Sequence, residues 1–152
     1  MSSIYQNHIE LALSQAKIAF TKGEVPIGAV IAHSKTKEII AASYNKVKIS
    51  NNPIAHAEMN VIYEACQKLQ ISRLDDYDIY STLEPCVMCA AAIAKARINR
   101  LYFAASDSKY GGVVSNLKYF STNACHHKVE YYYGIKEAEA QKLLRDFFAL
   151  KR

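Results

Sequence analysis

The feature that most constrains this chain's architecture is the repeated exchange of two hydrophobic periods along it. Residues 4 to 22 carry Ile9, Ala12, Leu13, Ala16, Ala19 and Phe20 at helical spacing, and Gly23 follows as a C-cap. Ile27 to His33 and Glu38 to Tyr44 are short strand-like runs, joined as a hairpin by the polar Ser34-Lys35-Thr36-Lys37. Asn51-Asn52-Pro53 opens a second helix running to about Leu69. Asp78 to Leu83 reads as a strand, after which Pro85 occupies the first turn of a third helix that reaches about Ala96. Ile98 to Ala104 is a strand, Ser106 to His127 a long stretch with a short helix around Val114 to Phe120, Lys128 to Tyr133 a last strand, and Lys136 to Lys151 a last helix. Strands that alternate with helices require a largely parallel sheet covered on both faces, and the opening hairpin adds one antiparallel strand. The expected fold is a three-layer α/β/α sandwich around a mixed sheet of about five strands.

A chain of 152 residues fits one domain spanning 1–152. With 51% apolar and 22% charged residues its composition is that of a soluble globular protein. No apolar run is long enough to span a membrane, and the N-terminus from Met1 to His8 lacks the basic and apolar regions of a secretory signal, so a cytoplasmic protein is expected. In that compartment four cysteines imply thiols or metal ligands rather than a disulfide framework. The net charge of +5 permits a polyanionic partner, and equally fits a surface kept soluble by lysine.

Two segments carry chemistry: His56-Ala57-Glu58 and Pro85-Cys86-Val87-Met88-Cys89. Cys86 and Cys89 lie three apart, so a helix puts both sulfurs on one face, and the imidazole of His56 completes a mixed N/S set that suits zinc. Three protein ligands leave one tetrahedral position free for water, the mark of a catalytic site. Glu58 is two residues from His56, close enough to move protons without ligating the metal. This H-x-E with P-C-x-x-C combination is the signature of zinc nucleobase deaminases. A lone C-x-x-C could instead be a redox pair, but a thioredoxin-like site assigns no role to His56 or Glu58.

At these residues the chain resembles the cytidine/deoxycytidylate deaminase superfamily, and within it the bacterial tRNA-specific adenosine deaminases. The likeness extends over Glu24 to Val30, Asn45, Ala55 to Glu58, Thr82 to Cys89, Ala96 to Ile98, Phe103 to Lys109 and Asp146 to Phe148. It implies a cytidine deaminase-like fold, one zinc ion per subunit held by His56, Cys86 and Cys89, and conversion of the wobble adenosine of a tRNA anticodon stem-loop to inosine. It also implies that Asn45 hydrogen-bonds the extruded nucleoside and that the backbone around Ala57 and Cys86 lines the base. Asp107 and Lys109 then contact neighbouring nucleotides, Phe147 and Phe148 shape the anticodon-loop groove, and a homodimer completes each site. The chain departs from the family at Tyr110-Gly111-Gly112-Val113-Val114-Ser115 and at His126-His127, both on loops around the base.

Plainer readings stand beside these. Without the resemblance, Asn45 is a turn residue after a strand. His8 and His33 read as surface residues, His126 and His127 as surface loop residues with a nucleic-acid groove as the sharper alternative, Cys66 as core, and Cys125 is left open. Tyr131-Tyr132-Tyr133 alternates in and out along a strand, with stacking of an outward tyrosine on a base as the sharper alternative. Phe147 and Phe148 cannot both point inward from one helix, so one is exposed. Lys142, Arg145, Lys151 and Arg152 give the last helix a basic character, read as a solvated face or as a phosphate-contacting edge. The same zinc site would serve a deaminase of a free base or nucleoside, guanine or cytosine. A non-enzymatic RNA-binding module with structural zinc is the third reading, against which Glu58 speaks.

Overall fold

A computed structural model describes residues 3–151. Met1 and Ser2 of the N-terminal reading, and Arg152 of the basic last helix, lie outside the described residues. The elements are α1 (Ser3–Thr21), β1 (Gly28–His33), β2 (Ile39–Tyr44), α2 (Ala57–Leu69), β3 (Tyr77–Leu83), α3 (Val87–Lys95), β4 (Arg100–Ala105), a 3₁₀ turn (Tyr119–Ser121), β5 (Glu130–Tyr133) and α4 (Glu137–Leu150). No helix among the described residues is long and apolar enough to cross a membrane.

The five strands form one mixed sheet in the order β2-β1-β3-β4-β5. β1 is antiparallel to both neighbours, while β3, β4 and β5 run parallel. The single reversed strand of the hairpin is thus inserted inside the sheet rather than added at its edge. Successive strand residues face opposite sides, which gives two cores. On one face Ala29, Ile31, Ile79, Leu101 and Phe103 pack against Val61 and Ala65 of α2 and Ala90 and Ile93 of α3. On the other, Val30, Ala32, Tyr80 and Tyr102 pack against Ile9, Ala12 and Leu13 of α1 and Ala140 of α4. The three-layer expectation is met.

Local differences have local causes. Helix α2 begins at Ala57, not near residue 51. The intervening Asn52 builds a turn instead, its side-chain oxygen accepting from Ile54 N at 3.1 Å and its carbonyl from Ala55 N at 3.1 Å. Pro85 precedes the helix, because Cys86 is the N-cap of α3. The short helix expected around Val114 to Phe120 shrinks to Tyr119–Ser121, since the amides of Val113, Val114 and Ser115 are taken by a side chain, Glu84. Tyr131, Tyr132 and Tyr133 are all exposed rather than alternating, because β5 is an edge strand, although Tyr132 stacks on Tyr102 and Tyr133 on Phe103. His8 is buried, edge-on to Tyr80, rather than on the surface. His127 is structural, its ring nitrogen 2.8 Å from the carbonyl of Ile98.

The outcome that matters for function is geometric. The start of β1 and the ends of β2, β3 and β4 all meet at one edge of the sheet, where α2 and α3 begin. In open α/β sheets this carboxyl edge is where ligands bind.

Candidate active site

His56 and Cys86 are the N-cap residues of α2 and α3. Both have extended backbone, and neither uses its side chain as a cap, so imidazole and thiol are free to turn into the site. Their carbonyls start the helices instead, accepting from Asn60 N at 2.9 Å and from Ala90 N at 2.8 Å. Cys89 lies one helical turn further along α3 and is fully buried.

The three ligand atoms lie within 4.8 Å of one another. His56 Nδ1 is 3.6 Å from Cys86 Sγ and 3.5 Å from Cys89 Sγ. An ion held at roughly 2.3 Å from sulfur and 2.0 Å from nitrogen, with tetrahedral angles, requires N···S edges of about 3.5 Å. Both N···S distances therefore fit a tetrahedral zinc ion. Their protonation is set by their contacts with one another and by burial. The hydrogen bond from Cys89 brings the Cys86 thiol down to about 4 against the opposing effect of burial, and the hydrogen bond to Cys86 raises His56. Cys89 keeps its proton, because the thiolate of Cys86 beside it and burial both raise it. One thiolate is thus preformed, and the positive ends of two helices favour it.

Glu58, in the first turn of α2, is 4% exposed. Burial pushes its carboxyl up to about 7, partly offset by its own amide and by His56. A carboxyl that titrates near neutrality beside a metal triad can give and take a proton at little cost. It opens into a cleft of about 1080 Å³ that is mostly apolar in lining, with Asn45, Lys48, Leu83, Lys109, Tyr110 and Phe148 on its walls.

The structure brings most of the expected residues to this cleft. Asn45, Asp107, Lys109 and Phe148 line it together with His56, Glu58 and Cys86. The Asn45 amide nitrogen donates to Val25 O at 3.4 Å, which ties the side chain to the segment before β1. Ala57 is fully buried between His56 and Glu58 and gives the cleft no side-chain surface. Phe147 is a correction to the groove expectation. It is 4% exposed and packs edge-on against Phe20, whereas Phe148 is 48% exposed on the cleft wall. Phe147 touches Phe148 at 5.4 Å between ring centres and so supports it from beneath.

Two residues escaped sequence reasoning. Glu24 and Glu84 are buried and both line the cleft. Glu24 accepts from Lys48 N at 3.1 Å and Ile49 N at 2.6 Å, holding the loop after β2. Glu84 accepts from Asp107 N, Val113 N, Val114 N, Ser115 N and the Ser115 hydroxyl. The available signal was a lone acidic residue inside an otherwise apolar or proline-containing stretch, Glu24-Val25-Pro26-Ile27 and Leu83-Glu84-Pro85. A charge in such a place is kept only if it is paired or hydrogen-bonded.

The family model described as "cytidine and deoxycytidylate deaminase zinc-binding region" matches residues 2–105. A protein of Rickettsia bellii named tRNA-specific adenosine deaminase is 53% identical over 137 residues, covering 90% of this chain and 94% of that protein. A solved structure from a study of A-to-I editing by tRNA:A34 deaminases at the wobble position is 46% identical, with a TM-score of 0.88, and covers 91% of this chain and 99% of that one. A guanine deaminase from Nitrosomonas europaea, 20% identical, shares the fold at a TM-score of 0.84 over 95% of this chain and 84% of that one.

Proposed function

The chain belongs to the cytidine and deoxycytidylate deaminase zinc-binding family, on its tRNA-specific adenosine deaminase branch, and from that premise we propose how its residues share the work. It is a zinc-dependent hydrolase that converts adenosine to inosine at the wobble position of tRNA. The observation that carries this reading is the buried Glu58 beside the closely set His56, Cys86 and Cys89, with Glu58, His56 and Cys86 lining the cleft.

His56, Cys86 and Cys89 hold one zinc ion per subunit. When bound, zinc supplies the Lewis acidity that makes water nucleophilic near neutral pH. Glu58 takes a proton from the attacking water and places it on the ring nitrogen next to C6 of the adenine. It then carries the second proton to the departing amino group, so that adenosine and water become inosine and ammonia. Asn45 hydrogen-bonds the extruded nucleoside, and the backbone on either side of Ala57 and at Cys86 lines the base. An anticodon loop suits this mechanism, because its bases are already unpaired and extrusion is inexpensive.

Asp107 and Lys109 meet the nucleotides beside the target, and Phe148 forms the groove wall. Phe147 acts by holding Phe148 rather than by contacting RNA. The enzyme works in the cytoplasm as a homodimer, each cleft completed by the second subunit.

The test is inosine and ammonia release from a synthetic anticodon stem-loop, set beside free guanine, cytosine and adenosine. The expected result is turnover of the stem-loop alone. Turnover of guanine with none of the RNA replaces this reading with that of a free-base deaminase.

A further inference from the structure

The loop after β4 lines the cleft through Asp107, Lys109 and Tyr110, and the structure shows what holds it. Glu84, 2% exposed, receives Asp107 N at 2.9 Å and the Ser115 hydroxyl on one carboxylate oxygen. Its other oxygen receives the amides of Val113, Val114 and Ser115 at 3.0, 2.8 and 3.0 Å. Gly112 N donates to Pro85 O at 2.8 Å, and Gly111 forms an isolated bridge with Cys86. This close approach needs both glycines. A Cβ at Gly111 would overlap the Glu84 carboxyl, and one at Gly112 would stand 2.7 Å from Val87 N. One buried carboxylate therefore ties both ends of the loop to the short link between β3 and α3, two residues before the zinc ligand Cys86.

Between the tied ends the loop carries its own brace. The Asp107 carboxylate accepts from Lys109 N and Tyr110 N, each at 3.1 Å. This fixes the backbone under Tyr110, whose side chain is 63% exposed yet lines the cleft. The Lys109 ammonium sits 5.1 Å from the centre of the Tyr110 ring. A cation and an open aromatic face on a rigid support form the combination that takes up a nucleotide through its phosphate and its base.

We propose that Glu84 is a positioning residue whose carboxylate fixes the 107–115 loop so that Tyr110 stacks on a nucleobase adjacent to the target. The inference rests on the RNA reading above and adds to it the group that sets affinity for the flanking nucleotide. Glu84 touches no reacting atom. Its effect therefore belongs in KM for the RNA and not in the chemical step.

The experiment uses the zinc-loaded full chain and an anticodon stem-loop, with kcat, KM, zinc content and amide hydrogen exchange as readouts. Glu84→Gln is expected to raise KM about tenfold, the scale of one lost base stack, while kcat and zinc content hold within about twofold. The amides of Val113 to Ser115 are expected to exchange faster in the same variant. Tyr110→Ala is expected to raise KM by a similar factor, and Tyr110→Phe, which keeps the ring face, to recover most of the loss. Ser115→Ala removes one of the five donors and gives a smaller KM rise, which keeps the proposal testable should Glu84→Gln fail to fold. Loss of zinc or of kcat at unchanged KM in Glu84→Gln would overturn it by assigning Glu84 to the metal helix. An unchanged KM in Tyr110→Ala would overturn it as well. Failure of the wild type to deaminate the stem-loop refutes the RNA reading and the stacking role with it. The exchange measurement uses no substrate and judges the Glu84 tie on its own.

Discussion

Glu58 and Glu84 are both buried acidic residues on the same cleft, each two residues from a zinc ligand, yet their surroundings assign them opposite work. Glu84 is saturated with donors, four amides and a hydroxyl, so its charge is locked into the fold. Glu58 lacks such a set of donors, and burial raises its carboxyl to about 7, so its proton is mobile. Residue type does not decide between scaffold and catalyst. The supply of hydrogen-bond donors does.

The strongest way to break this contrast is at Glu58. Replacing it by Gln is expected to lower kcat by roughly 10²- to 10⁴-fold, the usual range for a lost proton carrier, at unchanged zinc content and unchanged thermal stability. Normal turnover in that variant would remove the distinction between the two glutamates. Next in size are the adjacent phenylalanines of α4, which repeat the contrast in apolar form. Phe147→Ala is expected to cost about 3 kcal/mol or more in denaturant unfolding, and Phe148→Ala less than about 1 kcal/mol while raising KM for RNA. Equal stability losses would show that both rings are structural. Smaller again is Glu24, with two donors where Glu84 has five. Glu24→Gln is expected to destabilise by about 1–2 kcal/mol, less than Glu84→Gln in the same unfolding assay.

The smallest effect lies on the far face of the sheet. His8 is buried with its Nδ1 unpartnered, facing Tyr80, Lys37 and Asp78. Burial lowers its pKa below 6.5, with the Lys37 charge in the same direction and a Lys37 backbone hydrogen bond and Asp78 opposing. Its neutral form is thus favoured on folding. Stability on its account is full above pH 6.5 and is lost as pH falls from there through the depressed folded value. His8→Leu should flatten that part of the stability curve between pH 7 and 5. An unchanged slope would show that His8 does not titrate in this window.

Much of this was legible in the residues because the signals were local. Periodicity gave the helices and strands, and two short motifs gave His56, Glu58, Cys86 and Cys89. What was not legible depended on contacts far apart in the chain. The insertion of β1 between β2 and β3 is a property of the whole sheet. The Glu84 network spans 23 to 31 residues of chain separation, and no propensity encodes it. The same network explains why a helix expected near Val114 does not form, since its amides are already engaged. His8 read as a surface residue because only packing against Tyr80 reveals that it is buried.

The metal triad is the centre of the account, and zinc X-ray absorption on the loaded wild-type protein tests it most directly. The predicted shell is two sulfurs at about 2.3 Å, one imidazole nitrogen at about 2.0 Å and one further light atom. A shell of four sulfurs, or one with nitrogen and oxygen alone, would contradict it.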